Sequence, residues 1–251
     1  MPLLAYGRLI EKNHFRIFMH NYYSAVNQEK ILEEIDQKGF TCIPNLVPIP
    51  ICKDLIKSYM DDTLYRSTIN MARYNFGQGQ YRYFKYPLPN LINTLRKQSY
   101  DFLLPLARQW AYNLKQDLSY PDFYADYLRL CHQAGQARPT PLILRYEQGD
   151  YNCLHQDLYG ELNFPLQLIV MLSDPHKDFD GGELVLTEQR PRMQSRAHVL
   201  NLEQGEAAII AVNYKPKLGT RGYYRATIRH GVSELKKGYR HTMGVILHDA
   251  K

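Results

Sequence analysis

From Thr140 onward the chain is a series of short apolar runs, each broken by Gly, Pro or Asp, with no helical stretch between them. The runs occupy residues 142–146, 164–172, 183–187, 198–202, 206–213, 223–232 and 239–248. Parallel neighbours need long crossovers, usually helices, and none is available here. This half therefore predicts an antiparallel barrel or jelly roll. The first half reads differently. Apolar residues at helical spacing predict helices over 28–38, 50–60, 89–115 and 122–133, stopped at Gly39 and Gly135, with Pro105 expected to kink the third. A short strand is expected at 40–47, and a hairpin within 71–86 turning at Gly77-Gln78-Gly79. Residues 134–140 contain no linker-like run, so the helices are expected to pack on the sheet. The expected organisation is an α+β fold: a mainly helical support region, 1–135, and a jelly-roll core, 136–251.

Composition narrows the class. With 45% hydrophobic and 22% charged residues, the chain is neither a disordered tail, a collagen-like fibre nor a disulfide miniprotein. The longest apolar run, 164–172, is interrupted by Gln167 and is too short to span a bilayer. Arg8, Glu11 and Lys12 leave no room for a signal-peptide core. Four cysteines without a CxxC pair read as reduced thiols, and a cytoplasmic protein is expected. The net charge of +6 and the 21 tyrosines suit an anionic partner such as nucleic acid, although a mildly basic enzyme with half-buried strand tyrosines is the plainer reading of them.

One group of residues carries chemistry. In His155-Gln156-Asp157, strand alternation puts an imidazole and a carboxylate on one face. A histidine from another strand would complete a facial triad, which holds iron(II) and leaves three positions open. His176-Lys177-Asp178 repeats the pattern, but in a turn-rich loop where alternation would not hold. His230 closes the strand 223–230, and Arg240 opens the next. A hairpin centred near residue 235 would pair 230 with 240 and 228 with 242, turning His230, Arg240 and Thr242 to one interior. A guanidinium beside a ligand histidine is what a dicarboxylate co-substrate needs: one end chelates the metal and the other meets Arg240 in a bidentate pair.

The string Arg145-Tyr146-Glu147-Gln148-Gly149-Asp150, followed by His155-Gln156-Asp157, resembles the active-site entry of iron(II)/2-oxoglutarate dioxygenases. Gly181-Gly182-Glu183-Leu184, His230-Gly231-Val232 and Arg240-His241-Thr242 fit the rest of that pattern. More narrowly, nearly the whole chain resembles a bacterial 2-oxoglutarate/iron oxygenase family described as acting on alkylation-damaged DNA. The stretches 154–162, 187–196, 71–74 and 86–89 carry that likeness, and roughly the first twenty residues lie outside it. The resemblance implies a double-stranded β-helix of the cupin-like type. It implies Fe(II) bound by His155, Asp157 and His230, and 2-oxoglutarate held by Arg240 with help from Tyr146 and Thr242. It implies O2 as oxidant, with ascorbate as reductant in vitro, and decarboxylation coupled to C–H hydroxylation. An N-methyl carbon so hydroxylated leaves as formaldehyde.

The substrate is less constrained. The proximal motif resembles AlkB-like dealkylases, but Leu144 stands where those enzymes have Asn, and Ile246 where they carry a second arginine. The short step from His230 to Arg240 resembles prolyl-hydroxylase-type oxygenases. Tyr159, on the Asp157 face if the strand continues, is a candidate for stacking on a base. Arg190, Arg192 and Arg196, with Lys215, Lys217, Arg221 and Arg225, flank predicted strands and can grip phosphates or simply be solvated; of these, Arg192 and Arg221 are the candidate substrate contacts. Gln167 either reaches the co-substrate or meets a polar partner in the core. His14, His20, His132, His198, His241 and His248 lack ligand spacing. Demethylation of alkylated nucleic acid is the leading expectation. Hydroxylation of a protein side chain or small metabolite is the alternative enzyme, and a non-catalytic cupin-like binding module the alternative class.

Overall fold

The helices of the first half form where the periodicity predicts them. A computed structural model of the chain describes residues 21–251. Helix α1 (Gln28–Lys38) is capped by the Asn27 side chain, which accepts the Lys30 N–H, and ends at Gly39 with φ 84°, a left-handed conformation that glycine adopts without penalty. After β1 (Phe40–Ile43) come α2 (Ile49–Ser58), β2 (Tyr65–Asn70), β3 (Gly77–Gln78), β4 (Gln80–Phe84), α3 (Asn90–Asn113) and α4 (Tyr124–Gln133). Helix α3 keeps Pro105 inside its 24 residues and buries Leu91, Leu95, Phe102, Leu106 and Trp110, the stripe that the spacing predicts. Each fully buried side chain of this size contributes about 1.5–3 kcal/mol. His14 and His20 lie outside the described residues.

The second half supplies β5 (Leu142–Glu147), β6 (Tyr151–His155), β7 (Leu166–Met171), β8 (Phe179–Gly181), β9 (Leu184–Gln189), β10 (Arg196–Leu200), β11 (Ala207–Ala211), β12 (Tyr214–Gly219), β13 (Gly222–Val232) and β14 (Leu235–Ile246). They fold into two antiparallel sheets, the jelly-roll arrangement. The major sheet runs β1-β11-β7-β14-β5-β4-β2, with β8 also on β14; the minor sheet runs β10-β9-β13-β6-β3, with β12 also on β13. All six residues of β7 are buried, so a strand with no alternation of its own lies covered on both faces. Rings of Tyr100, Tyr124, Tyr127 and Phe164 pack together where α3 and α4 meet the sheet. Among the described residues no helix is long and apolar enough to cross a membrane, and the four cysteines are free.

Two expectations change. Strands β1, β2, β3 and β4 belong to the sheets, so the stretch before residue 135 is interleaved with the core as well as buttressing it. The glycines at 77 and 79 do not turn a simple hairpin. β2 pairs with β4, while Gly77-Gln78 leaves to pair with β6 in the other sheet. A Cβ on Gly77 would lie 2.4 Å from the Tyr151 carbonyl oxygen, and one on Gly79 would lie 2.9 Å from the Tyr146 ring. Both sites need glycine for close approach at positive φ.

Candidate active site

Strand β6 ends at His155, opposite His230 of β13, and the chain leaves the sheet there to place Asp157 beside both rings. The three side chains offer ligand atoms that all lie within 4.8 Å of one another. His155 Nε2 is 3.6 Å from Asp157 Oδ1 and His230 Nε2 is 3.3 Å from Asp157 Oδ2. Adjacent ligands on an octahedral ion stand about 3 Å apart, so this set is near the spacing of one octahedral face. The Cys153 carbonyl lies 2.8 Å from His155 Nδ1. In the neutral ring a proton held there would leave the Nε2 lone pair for a metal ion.

The Asp157 carboxylate is held on both oxygens. Tyr159 donates its hydroxyl to Oδ1 at 2.9 Å, and the Gln167 amide donates to Oδ2 at 2.8 Å. Tyr83 in turn donates to the Tyr159 hydroxyl at 3.1 Å. Gln167, the polar interruption in an apolar strand, thus reaches the carboxylate. Burial raises the Asp157 pKa, but hydrogen bonds from His155 and His230 outweigh it and hold the carboxyl well below its ordinary range. Burial lowers the His155 pKa, yet the Asp157 carboxylate leaves it raised; His230 is lowered by burial and by the His155 charge.

Across the barrel, β14 brings Arg240 to the same interior. β13 and β14 do not pair with each other, contrary to the hairpin expectation: β13 lies between β9 and β6, and β14 between β7 and β5. His230 and Arg240 line one cavity from opposite sheets. The alternation of each strand sets which face its residues occupy, and the two sheets close over the shared interior. Arg240 is fully buried, with its guanidinium over the Tyr146 ring at 5.5 Å and near Phe179 at 6.0 Å. Burial pushes its pKa down to about 10. Among the described residues its Nε, Nη1 and Nη2 have no hydrogen-bond partner, and neither does Gln167 Oε1. Buried polar groups are nearly always paired, so an unpartnered buried guanidinium fits a carboxylate-bearing ligand. His155, Asp157 and His230 fit the ion in the same way, as an N, O, N donor set on one side of the cavity.

The cavity encloses about 420 Å³. Tyr146, Thr242, Gln167 and Tyr159 line it with the residues above, and Phe76, Leu154 and Leu158 line it while remaining exposed. Arg192 and Arg221 do not line it. They occupy the β9–β10 loop and the β12–β13 turn, both exposed. Tyr159 follows the end of β6 rather than extending the strand, and its hydroxyl is engaged with Asp157 instead of being free at the mouth. Lys215 is buried and bonded to the carbonyls of Asp36 and Gln37 at the end of α1, so it grips no phosphate. The second HxD sits in an exposed turn: His176 bonds Glu203 and the Asp178 carboxylate accepts the Asp174 N–H. Sequence reasoning did not find the Tyr83–Tyr159–Asp157 chain; the tyrosine-rich segment 81–86 was its only signal.

Fold and donor set together define an oxidoreductase class, the oxygenases that use Fe(II), 2-oxoglutarate and O2. The family model described as "Oxygenase, catalysing oxidative methylation of damaged DNA" matches residues 79–250, and the chain belongs to that family. Two Mycobacterium tuberculosis proteins, MT2286 of strain CDC 1551 / Oshkosh and Rv2227 of strain H37Rv, both described as uncharacterized, are each 46% identical to it over 167 residues, 66% of this chain and 72% of theirs. Among solved structures, a Pseudomonas putida prolyl-4-hydroxylase has a TM-score of 0.53 at 11% identity, covering 87% of this chain and 96% of its own. A Trichoplax adhaerens prolyl hydroxylase, in complex with a hypoxia inducible factor peptide, has a TM-score of 0.53 at 11% identity over 86% of each chain. At that identity the likeness concerns the fold.

Proposed function

We propose that this oxygenase removes methyl groups oxidatively from alkylated DNA, with Fe(II) held by His155, Asp157 and His230 and 2-oxoglutarate held by Arg240, Tyr146 and Thr242. The observation that carries the substrate is the family description, which matches more than half of the chain. An oxygenase inserts oxygen at a carbon. Applied to an N-methyl group, that chemistry releases formaldehyde and leaves the base without its methyl, so the direction is demethylation. When bound, Fe(II) with 2-oxoglutarate and O2 supplies the C–H oxidation, and the co-substrate leaves as succinate and carbon dioxide.

The chain's own residues bind, orient and enclose. Arg240 is a pre-formed anion site whose planar fork matches a carboxylate in two parallel bonds. Tyr159 and Gln167 fix both oxygens of Asp157, which sets the direction in which that ligand presents its charge. Tyr81, Tyr83 and Leu144 wall the cavity. Phe76 at the rim, stacked on Tyr74 with centroids 5.5 Å apart, is an exposed aromatic surface for an unstacked base.

The test is incubation of purified protein with Fe(II), ascorbate, 2-oxoglutarate and methylated oligonucleotides. Formaldehyde release with loss of one methylene from the oligonucleotide mass is expected. An unchanged oligonucleotide, with a gain of one oxygen on a peptide or metabolite, would transfer the assignment to a side-chain or metabolite hydroxylase.

A further inference from the structure

The positive charge of this chain is concentrated in one place. Residues 189–233 hold eight lysines and arginines against two glutamates, a net +6 that equals the charge of the whole chain. Of 31 lysines and arginines and 25 carboxylates in all, the remainder balance at 23 each. Two of the eight cations are engaged: Lys215 with the α1 carbonyls, and Arg190 with Glu188 at 2.8 Å. The other six are Arg192, Arg196, Lys217, Arg221, Arg225 and Arg229. Among the described residues they form no ion pair, and all but the half-buried Lys217 are exposed.

The topology gathers them. Arg225 and Arg229 stand on the outer face of β13, alternating with Ala226, Ile228 and His230, which are buried. Gln189, at the end of β9, pairs with Thr227. The loop carrying Arg192 and the turn carrying Arg221 therefore project beyond the same end of the minor sheet. The glutamates lie at the other end: they follow Leu200, which pairs with Leu184, itself opposite Val232. β6 stops at His155 opposite His230, so the metal-ligand segment leaves the sheet toward the basic end.

The chemistry of the face selects its occupant. Five of the six free cations are arginines, whose forks match phosphate. Arg225 lies 4.9 Å over the Tyr214 ring, and Tyr223 is exposed on the same face of β13. Guanidinium groups among aromatic rings suit a strand whose bases are free to stack. A base in the cavity has to be out of any stack, and a single strand presents it without unpairing. We propose that the outer face and basic end of the minor sheet dock single-stranded DNA, holding the phosphates that flank the nucleotide in the cavity. This rests on the nucleic-acid reading of the site.

The experiment is fluorescence anisotropy with an unmodified, labelled single-stranded oligonucleotide across a salt series. Three proteins are compared with wild type: R221E/R225E/R229E; the loop-only R192E/R221E, which alters no strand; and K53E/K57E/K97E, which removes the same charge as the first triple variant but from α2 and α3. A rise in melting temperature with 2-oxoglutarate checks that each is folded. Both basic-face variants are expected to bind at least about tenfold more weakly. The slope of log affinity against log salt should fall by about 2 for R221E/R225E/R229E, the share of three single-strand phosphate contacts. The helix variant should match wild type. Equal losses in all three variants, no loss in any, or wild-type binding to phosphatidylserine vesicles but not to DNA would overturn the proposal. If wild type demethylates a methylated oligonucleotide and R221E/R225E/R229E does so with unchanged KM, the docking surface fails while the demethylase reading stands. If the anisotropy losses are as expected but no methylated oligonucleotide is repaired, the surface stands and the demethylase reading fails.

Discussion

Replacing Arg240 with methionine should make the ligand-free protein more stable and destroy its response to 2-oxoglutarate. Arg240 is fully buried, and among the described residues none of its guanidinium nitrogens has a hydrogen-bond partner. Burial lowers its pKa from 12.5 to about 10. At 1.36 kcal/mol per unit, that displacement corresponds to about 3 kcal/mol of unfavourable charge burial in the free protein. Methionine keeps much of the packed stem and removes the charge, so R240M should gain up to about 3 kcal/mol. For a chain of this length, that is a rise of about 6–12 °C in the melting temperature without ligand. Binding moves the other way. A dicarboxylate placed beside methionine leaves a charge unpaired, at a cost of about 3–5 kcal/mol, or a loss of roughly two to four decades in affinity. R240K keeps the charge but not the fork, and should lose about one decade. Differential scanning fluorimetry with and without 2-oxoglutarate reads both effects in one experiment. An R240M protein that melts lower than wild type without ligand, or still rises in melting temperature with 2-oxoglutarate, would refute the reasoning.

Three further outcomes follow from the same geometry. Q167L removes the amide donor from Asp157 and should weaken divalent-metal affinity about 10- to 100-fold, read by titrating cobalt(II) into metal-free protein; unchanged affinity would mean that Tyr159 alone holds the carboxylate. D249A leaves Arg96, fully buried and paired with Asp249 at 2.7 Å, without its counter-charge and should cost about 3–5 kcal/mol in denaturant unfolding; a loss below about 1 kcal/mol would show that the Ile246 carbonyl and Thr140 hydroxyl suffice. Burial pulls the His248 pKa down to about 4. Between the ordinary value and that one, the unfolded chain binds a proton that the native state does not, so stability falls as pH drops from about 6.5 to about 4, by about 3 kcal/mol from this residue. H248Q should flatten that part of the pH–stability curve, and an unaltered slope would assign the acid sensitivity elsewhere.

The sequence revealed faces better than partners. His155, His230 and Arg240 are legible because alternation fixes which side of a strand a residue occupies; Asp157 is legible from its spacing alone, since the strand has ended at His155. The separation of β13 from β14 is not legible, because a short connection between two strands looks like a hairpin whether they pair or part into opposite sheets. The HxD pattern places a strand at His155, but its extent, Tyr151–His155, is hidden because those residues are exposed or half-buried and carry no apolar run. Gly77 and Gly79 announced an unusual backbone, but the cause lies in contacts with Tyr151 and Tyr146, far along the chain. The engagement of Tyr159 and Gln167 with Asp157 is likewise a matter of three-dimensional approach. Arg192 and Arg221 are recognisable as basic loop residues, and only the sheet order shows that they share one end of the minor sheet without lining the cavity.

The most direct test follows succinate and formaldehyde in one reaction on a methylated single-stranded oligonucleotide, for wild type, H155A and H176A. The account predicts that wild type and H176A form the two products in equal amounts and that H155A forms neither. Succinate without formaldehyde on every methylated oligonucleotide, or loss of turnover in H176A with activity kept in H155A, would contradict it.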